Sequence, residues 1–206
     1  YLFFNSVGLQ VYDISTPGSP QKVYVPVGVD ALAVQENYLF SMIGEIGLDV
    51  YDISDLVNPV QVARLPMNAG DFSLHGDWLV GITNIPYSIT LVDVSNPSIP
   101  VITDAFLFQT EPRSVATRDG YVYVAHGEGL RGIDIFSIDS GGKLVFESNI
   151  PTESHSVTVV SDRAYVVSGG TSIKIFDIAD RGQPIQLVEL RAKGMAERAK
   201  VLDGYI

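Results

Sequence analysis

The chain contains no cysteine, and that absence removes disulfide cross-links, zinc–thiolate centres and cysteine nucleophiles together. It leaves the compartment open. Long apolar runs are missing too: Gly, Pro, Asp or Asn interrupts each one before the roughly 20 residues that a helix needs to span a bilayer. Positive charge is scarce, with 13 Lys and Arg against 24 Asp and Glu and a net charge of −11. A phosphate backbone must be neutralised by several cations at once, so this balance argues against nucleic acid as a partner. The acidity reads as a solvated surface. Also absent are a GxSxG elbow, a phosphate-binding loop, a dinucleotide fingerprint, an EF-hand loop and the metal-ligand spacings HxxxH and HExxH.

What is present is a globular balance. The 206 residues are 46% apolar and 18% charged, enough to bury a substantial core. The chain opens on Tyr1-Leu2-Phe3-Phe4 rather than on methionine or the basic head of a secretory leader, which leads us to expect a mature or excised segment. Its organising feature is an internal repeat. Gln10-Val11-Tyr12-Asp13-Ile14-Ser15, Asp49-Val50-Tyr51-Asp52-Ile53-Ser54, Thr90-Leu91-Val92-Asp93-Val94-Ser95 and Lys174-Ile175-Phe176-Asp177-Ile178-Ala179 align directly, and Asp134-Ile135-Phe136-Ser137-Ile138-Asp139 is a weaker copy. The landmarks Asp13, Asp52, Asp93, Ser137 and Asp177 recur at about 41 residues, a period that marks a repeat architecture.

A second landmark keeps the same phase. Ala33 to Phe40, Ser73 to Val80, Ala116 to Tyr123 and Thr158 to Tyr165 are each a β-prone run, a polar turn and another β-prone run, the pattern of a hairpin. Each repeat thus supplies four short strands, in the third copy near 72–75, 78–83, 88–94 and 100–107. This predicts an all-β chain of four-stranded antiparallel blades, a β-propeller, as a single domain over residues 1–206 or a propeller segment. One stretch pulls the other way: Leu190 to Leu202 is rich in helix formers. The repeat aligns Ala199 to Tyr205 with Ala116 to Tyr121, so a strand is expected there. Tyr1-Leu2-Phe3 and Tyr205-Ile206 both match Tyr38-Leu39-Phe40. That allows a closed five-bladed ring or, the expectation preferred here, a segment of a six- to eight-bladed parent.

LVDVSNPSIP, with VYDISTPGSP and VYDISDLVNP, resembles the LVIVD repeat of bacterial and archaeal proteins, which are largely extracellular or surface-exposed. The resemblance covers essentially the whole chain and implies a propeller blade per repeat and a secreted or cell-surface location. The family carries no common catalytic residues, so none transfers. The fourth copy departs from the pattern, with Ser137 for the aspartate and Asp139-Ser140-Gly141-Gly142-Lys143 for the proline turn, and looks closer to a lactonase-like blade.

The recurring aspartates read as turn-closing residues, because a carboxylate ending a strand accepts the free N–H groups of the turn that follows. Function is then to be sought in the irregular loops. His75 is expected in a hairpin turn and solvent-exposed. His126, with Glu128, follows the second strand of one blade, and His155, with Glu153, precedes the first strand of the next. In propellers these loops share the face at the channel mouth. Arg113 and Asp30 occupy the position of His155 in other repeats, and Glu45 and Asn84 that of His126. Two imidazoles with a carboxylate suit a divalent cation or a general base, whereas ordinary polar loop residues are the simpler reading. Gly127, Gly129, Gly169 and Gly170 read as loop glycines of positive φ. Tyr38, Trp78, Tyr121 and Tyr205 read as blade packing rather than a sugar platform. Arg191, Lys193, Arg198 and Lys200 form a local basic cluster, read as an exposed loop.

The expected function is a non-enzymatic scaffold on the cell surface that contacts protein or glycan and needs no cofactor. One alternative is a metal-assisted, lactonase-like hydrolase using His126, His155 and Glu128 or Glu153 around a divalent cation. Another is a subunit of a surface lattice or filament, self-assembling through exposed strand edges.

Overall fold

In a computed structural model of the chain, the residues described are 10–13, 21–24, 31–43, 46–56, 58–127, 131–191, 193–199 and 201, with 10–13, 21–24 and 43 as backbone only. All regular structure among them is β. A hairpin of β1 (Gln10–Asp13) and β2 (Gln21–Tyr24) comes first. Four sheets follow: β3 (Ala31–Gln35), β4 (Tyr38–Ile43), β5 (Gly47–Asp52) and β6 (Val60–Leu65); β7 (Asp71–His75), β8 (Trp78–Asn84), β9 (Tyr87–Asp93) and β10 (Val101–Leu107); β11 (Pro112–Arg118), β12 (Tyr121–His126), β13 (Ile133–Ile138) and β14 (Leu144–Ile150); β15 (Ser156–Val160), β16 (Arg163–Ser168), β17 (Ser172–Asp177) and β18 (Ile185–Arg191). Each is a four-stranded antiparallel meander in sequence order, the blade architecture expected from the repeat. No helix among the described residues is long and apolar enough to cross a membrane.

The repeat is physical as well as textual. The third strand is tied to the first hairpin turn by the same backbone bond in every sheet: Ile53 to Asn37 (2.8 Å), Val94 to Asp77 (2.8 Å), Ile138 to Gly120 (2.8 Å) and Ile178 to Asp162 (3.0 Å), the N–H donating to the carbonyl. Each fourth strand carries one extra residue, opposite Val50/Tyr51, Leu91/Val92, Ile135/Phe136 and Ile175/Phe176, a bulge that increases local twist. Asp52, Asp93 and Asp177 accept the N–H of Ser54 (2.8 Å), Ser95 (2.9 Å) and Ala179 (2.9 Å), which is the turn-closing role read from the sequence. In the divergent fourth copy Asp139 takes this role, accepting from Gly141 (2.8 Å) and Lys143 (2.9 Å). The Asp13 side chain lies outside the described residues.

The chain divides into two compact units, Tyr1–Gly70 with Asn96–Pro100, and Asp71–Ser95 with Val101–Ile206. In the first, Leu39, Phe40, Met42, Leu48 and Val50 are at most 1% exposed. In the second, three successive sheets share two cores. Val80, Ile82, Ile89 and Leu91 pack with Phe108, Val115, Val122, Val124 and Phe136 between the β7–β10 and β11–β14 sheets. Tyr123, Ile133, Ile135 and Ile150 pack with Val157, Ala164, Val166, Phe176 and Ile178 between the β11–β14 and β15–β18 sheets. Each buried aliphatic side chain contributes roughly 1.5–3 kcal/mol. The first strands β7, β11 and β15 run side by side along one wall of this unit.

Two expectations change, and a third lies largely outside the described residues. Of the strand expected over 199–205 only Ala199 and Val201 are described; the preceding residues 193–199 form no helix and are held by Ala196 N–H on the Gly170 carbonyl (2.7 Å) and by Thr158 Oγ1 on the Ala199 carbonyl (2.7 Å). His75 is the last residue of β7 rather than a turn residue, half-buried, with Nε2 3.2 Å from Asp119 Oδ1. Gly169 and Gly170 do adopt positive φ (55° and 66°), but Gly127 does not. What Gly127 provides is room: a Cβ there would sit 1.9 Å from Arg113 Nε. Gly129 and Lys200 lie outside the described residues.

Candidate functional site

His126 ends β12, where strand alternation turns its ring into the sheet, and its residue exposure is 0%. Nδ1 lies 3.0 Å from Thr110 Oγ1 and Nε2 3.0 Å from Asp134 Oδ2. In the neutral ring Nε2–H donates to the carboxylate and Nδ1 accepts the hydroxyl; in the protonated ring both nitrogens donate and the hydroxyl turns to accept. Both nitrogens are engaged in either state. Phe108 packs edge-on against the ring, with centroids 4.8 Å apart at 78°.

Asp134 faces His126 from β13 and is itself buried. Asn149 Nδ2 donates to its Oδ1 at 2.7 Å, and Arg131 Nη2 approaches Oδ2 at 3.2 Å. Burial alone would raise this carboxyl, but the hydrogen bonds from His126 and Asn149 and the positive charge of His126 and Arg131 outweigh it and hold the group below the usual carboxylate range. Ser154 closes the network from the loop between β14 and β15: its hydroxyl proton is shared between the carbonyls of Gly132 (2.8 Å) and His126 (3.0 Å), and its oxygen accepts the His126 N–H (3.2 Å).

The other predicted residues have separate surroundings. Arg113, the extra residue of a bulge at the start of β11, stacks against Gly127 and approaches Glu111 at 3.5 Å. His155 is half-buried, and its N–H donates to the Val167 carbonyl at 2.7 Å. Glu153 is exposed and rests against Gly169. Asn84 is exposed at the end of β8. Asp30, Glu45 and Glu128 lie outside the described residues. The structure therefore joins the His126 backbone to the hydroxyl of Ser154, next in sequence to His155, and directs the His126 ring inward. Among the described residues no group of three or more His, Cys, Asp or Glu side chains is placed to hold a metal ion.

The partners Thr110, Asp134, Asn149 and Ser154 were not anticipated. A signal for one of them existed in the repeat. Three residues before the landmark stand Asp49, Asp134 and Lys174, each held by a polar partner: Asp49 by a bidentate pair with Arg64 (2.6 and 2.7 Å), Lys174 by Thr152 Oγ1 (2.8 Å). A separate feature is a cavity of about 460 Å³ in the second unit, walled by β7, β11 and β15 and by Arg198 and Ala199.

Comparison with known proteins agrees with this geometry. The LVIVD repeat matches residues 28–65, 83–107 and 111–147. No curated protein matches the chain. Among solved structures, a Lactobacillus plantarum protein superposes with a TM-score of 0.75 at 12% identity, over 93% of this chain and 65% of its own. A proposed 6-phosphogluconolactonase from Bacteroides uniformis gives 0.74 at 10%, over 91% and 65%. A Desulfotomaculum acetoxidans protein gives 0.72 at 11%, over 88% and 62%. The chain thus spans under two thirds of their lengths, and identities this low show likeness of fold alone. Repeat match, blade-by-blade hydrogen bonding and superposition together identify the chain as a member of the LVIVD-repeat family with a β-propeller fold.

Proposed function

We propose that the chain is a non-catalytic β-propeller scaffold on the outside of a bacterial or archaeal cell, contacting protein or glycan through its loops and sheet surfaces. The observation that carries this reading is the commitment of His126. Both ring nitrogens serve internal partners, so the histidine expected to anchor a metal or act as a base instead pins one sheet together. Arg113 engages Glu111 and Gly127, and Glu153 rests against Gly169, contacts that fit a structural use of these loops. The acidic surface fits a secreted, well-solvated protein.

A metal-assisted, lactonase-like hydrolase is the second reading, favoured by likeness of fold to the Bacteroides uniformis protein. Metal analysis of the purified chain, together with an assay on a sugar lactone, separates the two. The scaffold reading expects no stoichiometric divalent metal and no hydrolysis above background, with His155→Ala unchanged in both. Stoichiometric metal that is lost in His155→Ala overturns it. A lattice or filament subunit is a third reading, favoured by β18, whose seven residues are all exposed. Electron microscopy of the concentrated protein decides it: ordered arrays support assembly, and dispersed particles count against it.

A further inference from the structure

We infer that the cavity bounded by β7, β11, β15 and residues 198–199 is a binding site for a small neutral polyhydroxy compound, a sugar or cyclic polyol. The inference narrows the glycan arm of the scaffold reading to one ligand class and one place. At about 460 Å³ the space lies within the range of small-molecule pockets.

Its walls define the ligand chemistry. Phe72, Ala116 and Val159 give the wall its apolar part, suited to the C–H faces of a sugar ring, with Val115 and Val157 belonging to the two cores behind it. Between them stand the hydroxyls of Ser73, Ser114, Thr117, Ser156 and Thr158. Ser73 Oγ accepts the Thr117 N–H at 2.8 Å and Ser114 Oγ accepts the Val157 N–H at 3.4 Å, so each keeps its own proton to donate. Thr158 Oγ1 gives its proton to the Ala199 carbonyl and keeps its lone pairs. Thr117 Oγ1 and Ser156 Oγ have no partner among the described residues, although the two residues are only 8% and 5% exposed. Leaving a buried hydroxyl unpaired costs on the order of 1–3 kcal/mol, which a ligand hydroxyl offsets after a χ1 turn presents the oxygen.

Charge excludes the ionic alternatives. The cavity holds one acid, Asp71, and one base, Arg198, and they neutralise each other at 2.9 Å. An anion would meet Asp71 and a cation Arg198, whereas a neutral polyol meets a wall of matched donors and acceptors.

The test is a titration of the isotopically labelled chain with D-glucose and with myo-inositol, read by amide chemical shifts, with D-glucuronate and D-glucosamine as charged comparators. Saturable shifts are expected on β7, β11 and β15 for at least one neutral probe, with a dissociation constant of about 1–10 mM, ordinary for so few heavy atoms. The double variant Thr117→Val with Ser156→Ala removes two unpaired hydroxyls and so keeps its melting temperature, yet it weakens binding by about 10-fold. No shift for either neutral probe at about 100 mM, ten times the expected constant, means that the space holds only water and overturns the inference. So do shifts confined to other strands, affinity unchanged in the double variant, or tighter binding of a charged comparator. The broader scaffold reading fails separately, through a bound metal or turnover.

Discussion

Asp93 accepts the Ser95 N–H at 2.9 Å, and what that bond is worth can be measured, because asparagine preserves the acceptor and alanine does not. Asp93→Ala should lower stability by about 1 kcal/mol, while Asp93→Asn should stay within a few tenths of wild type in urea unfolding. Equal losses in both variants would mean that charge, not the turn bond, matters. Asp52 has the same bond, and its carboxyl is held below the ordinary value chiefly by the Ser54 N–H. Asp134 is the more demanding case. Because its carboxyl is held below the unfolded value, its stabilisation is present above about pH 4 and lost as pH falls through the lower, folded value. Asp134→Asn should therefore destabilise most near neutrality, with the difference from wild type shrinking as pH falls through the lowered value of the folded carboxyl and the wild-type carboxylate protonates. A difference that is flat with pH would remove the charge from the explanation. His126→Ala leaves Asp134 buried without its imidazole and opens space beside Phe108, and should cost on the order of 3 kcal/mol at constant m-value.

At the scale of elements, two equivalent strands differ in what covers them. Ile150 on β14 pairs with Ile133 and is 3% exposed within the core shared with the β15–β18 sheet; Leu190 on β18 pairs with Ile173 and is 44% exposed. The same truncation should have unequal effects: about 2–5 kcal/mol for Ile150→Ala, against about 0.5 kcal/mol for Leu190→Ala. Leu190→Lys should leave the melting temperature in place and reduce self-association at high concentration, because it breaks the apolar run of Ile185, Leu187, Val188 and Leu190. Comparable losses for both alanine variants would show that β18 is covered in solution. The strands themselves were legible in the sequence because strand and turn recur in phase, so the imperfect copies correct one another. The segment after β18 was less legible: helix propensity and repeat phase competed, and residues 193–199 form no helix. Of the His126 network only Asp134 left a trace in the repeat, three residues before its landmark; Thr110 and Ser154 reach the histidine from loops, and no local spacing records the pairing.

In a repeat architecture each unit is stabilised chiefly by itself and its neighbours, so damage should spread by adjacency rather than through the whole molecule. Ile133 is fully buried in the core between the β11–β14 and β15–β18 sheets, while the β3–β6 sheet belongs to the other compact unit. Ile133→Ala, read by native-state hydrogen exchange, should therefore lower protection of amides in β11–β14 and β15–β18 first. It should lower protection less in β7–β10, which meets the β11–β14 sheet through a separate core, and leave β3–β6 at its wild-type rates. The cavity-creating substitution removes a few kcal/mol, enough to change exchange through sub-global opening by one to several powers of ten, so a graded pattern is resolvable. A uniform loss of protection across all four sheets would instead mean that the two units unfold as one. A ligand held by β7, β11 and β15 would then stabilise β3–β6 as strongly as its own sheets, because any compound that binds only the folded state shifts the equilibrium of every element that unfolds with its site.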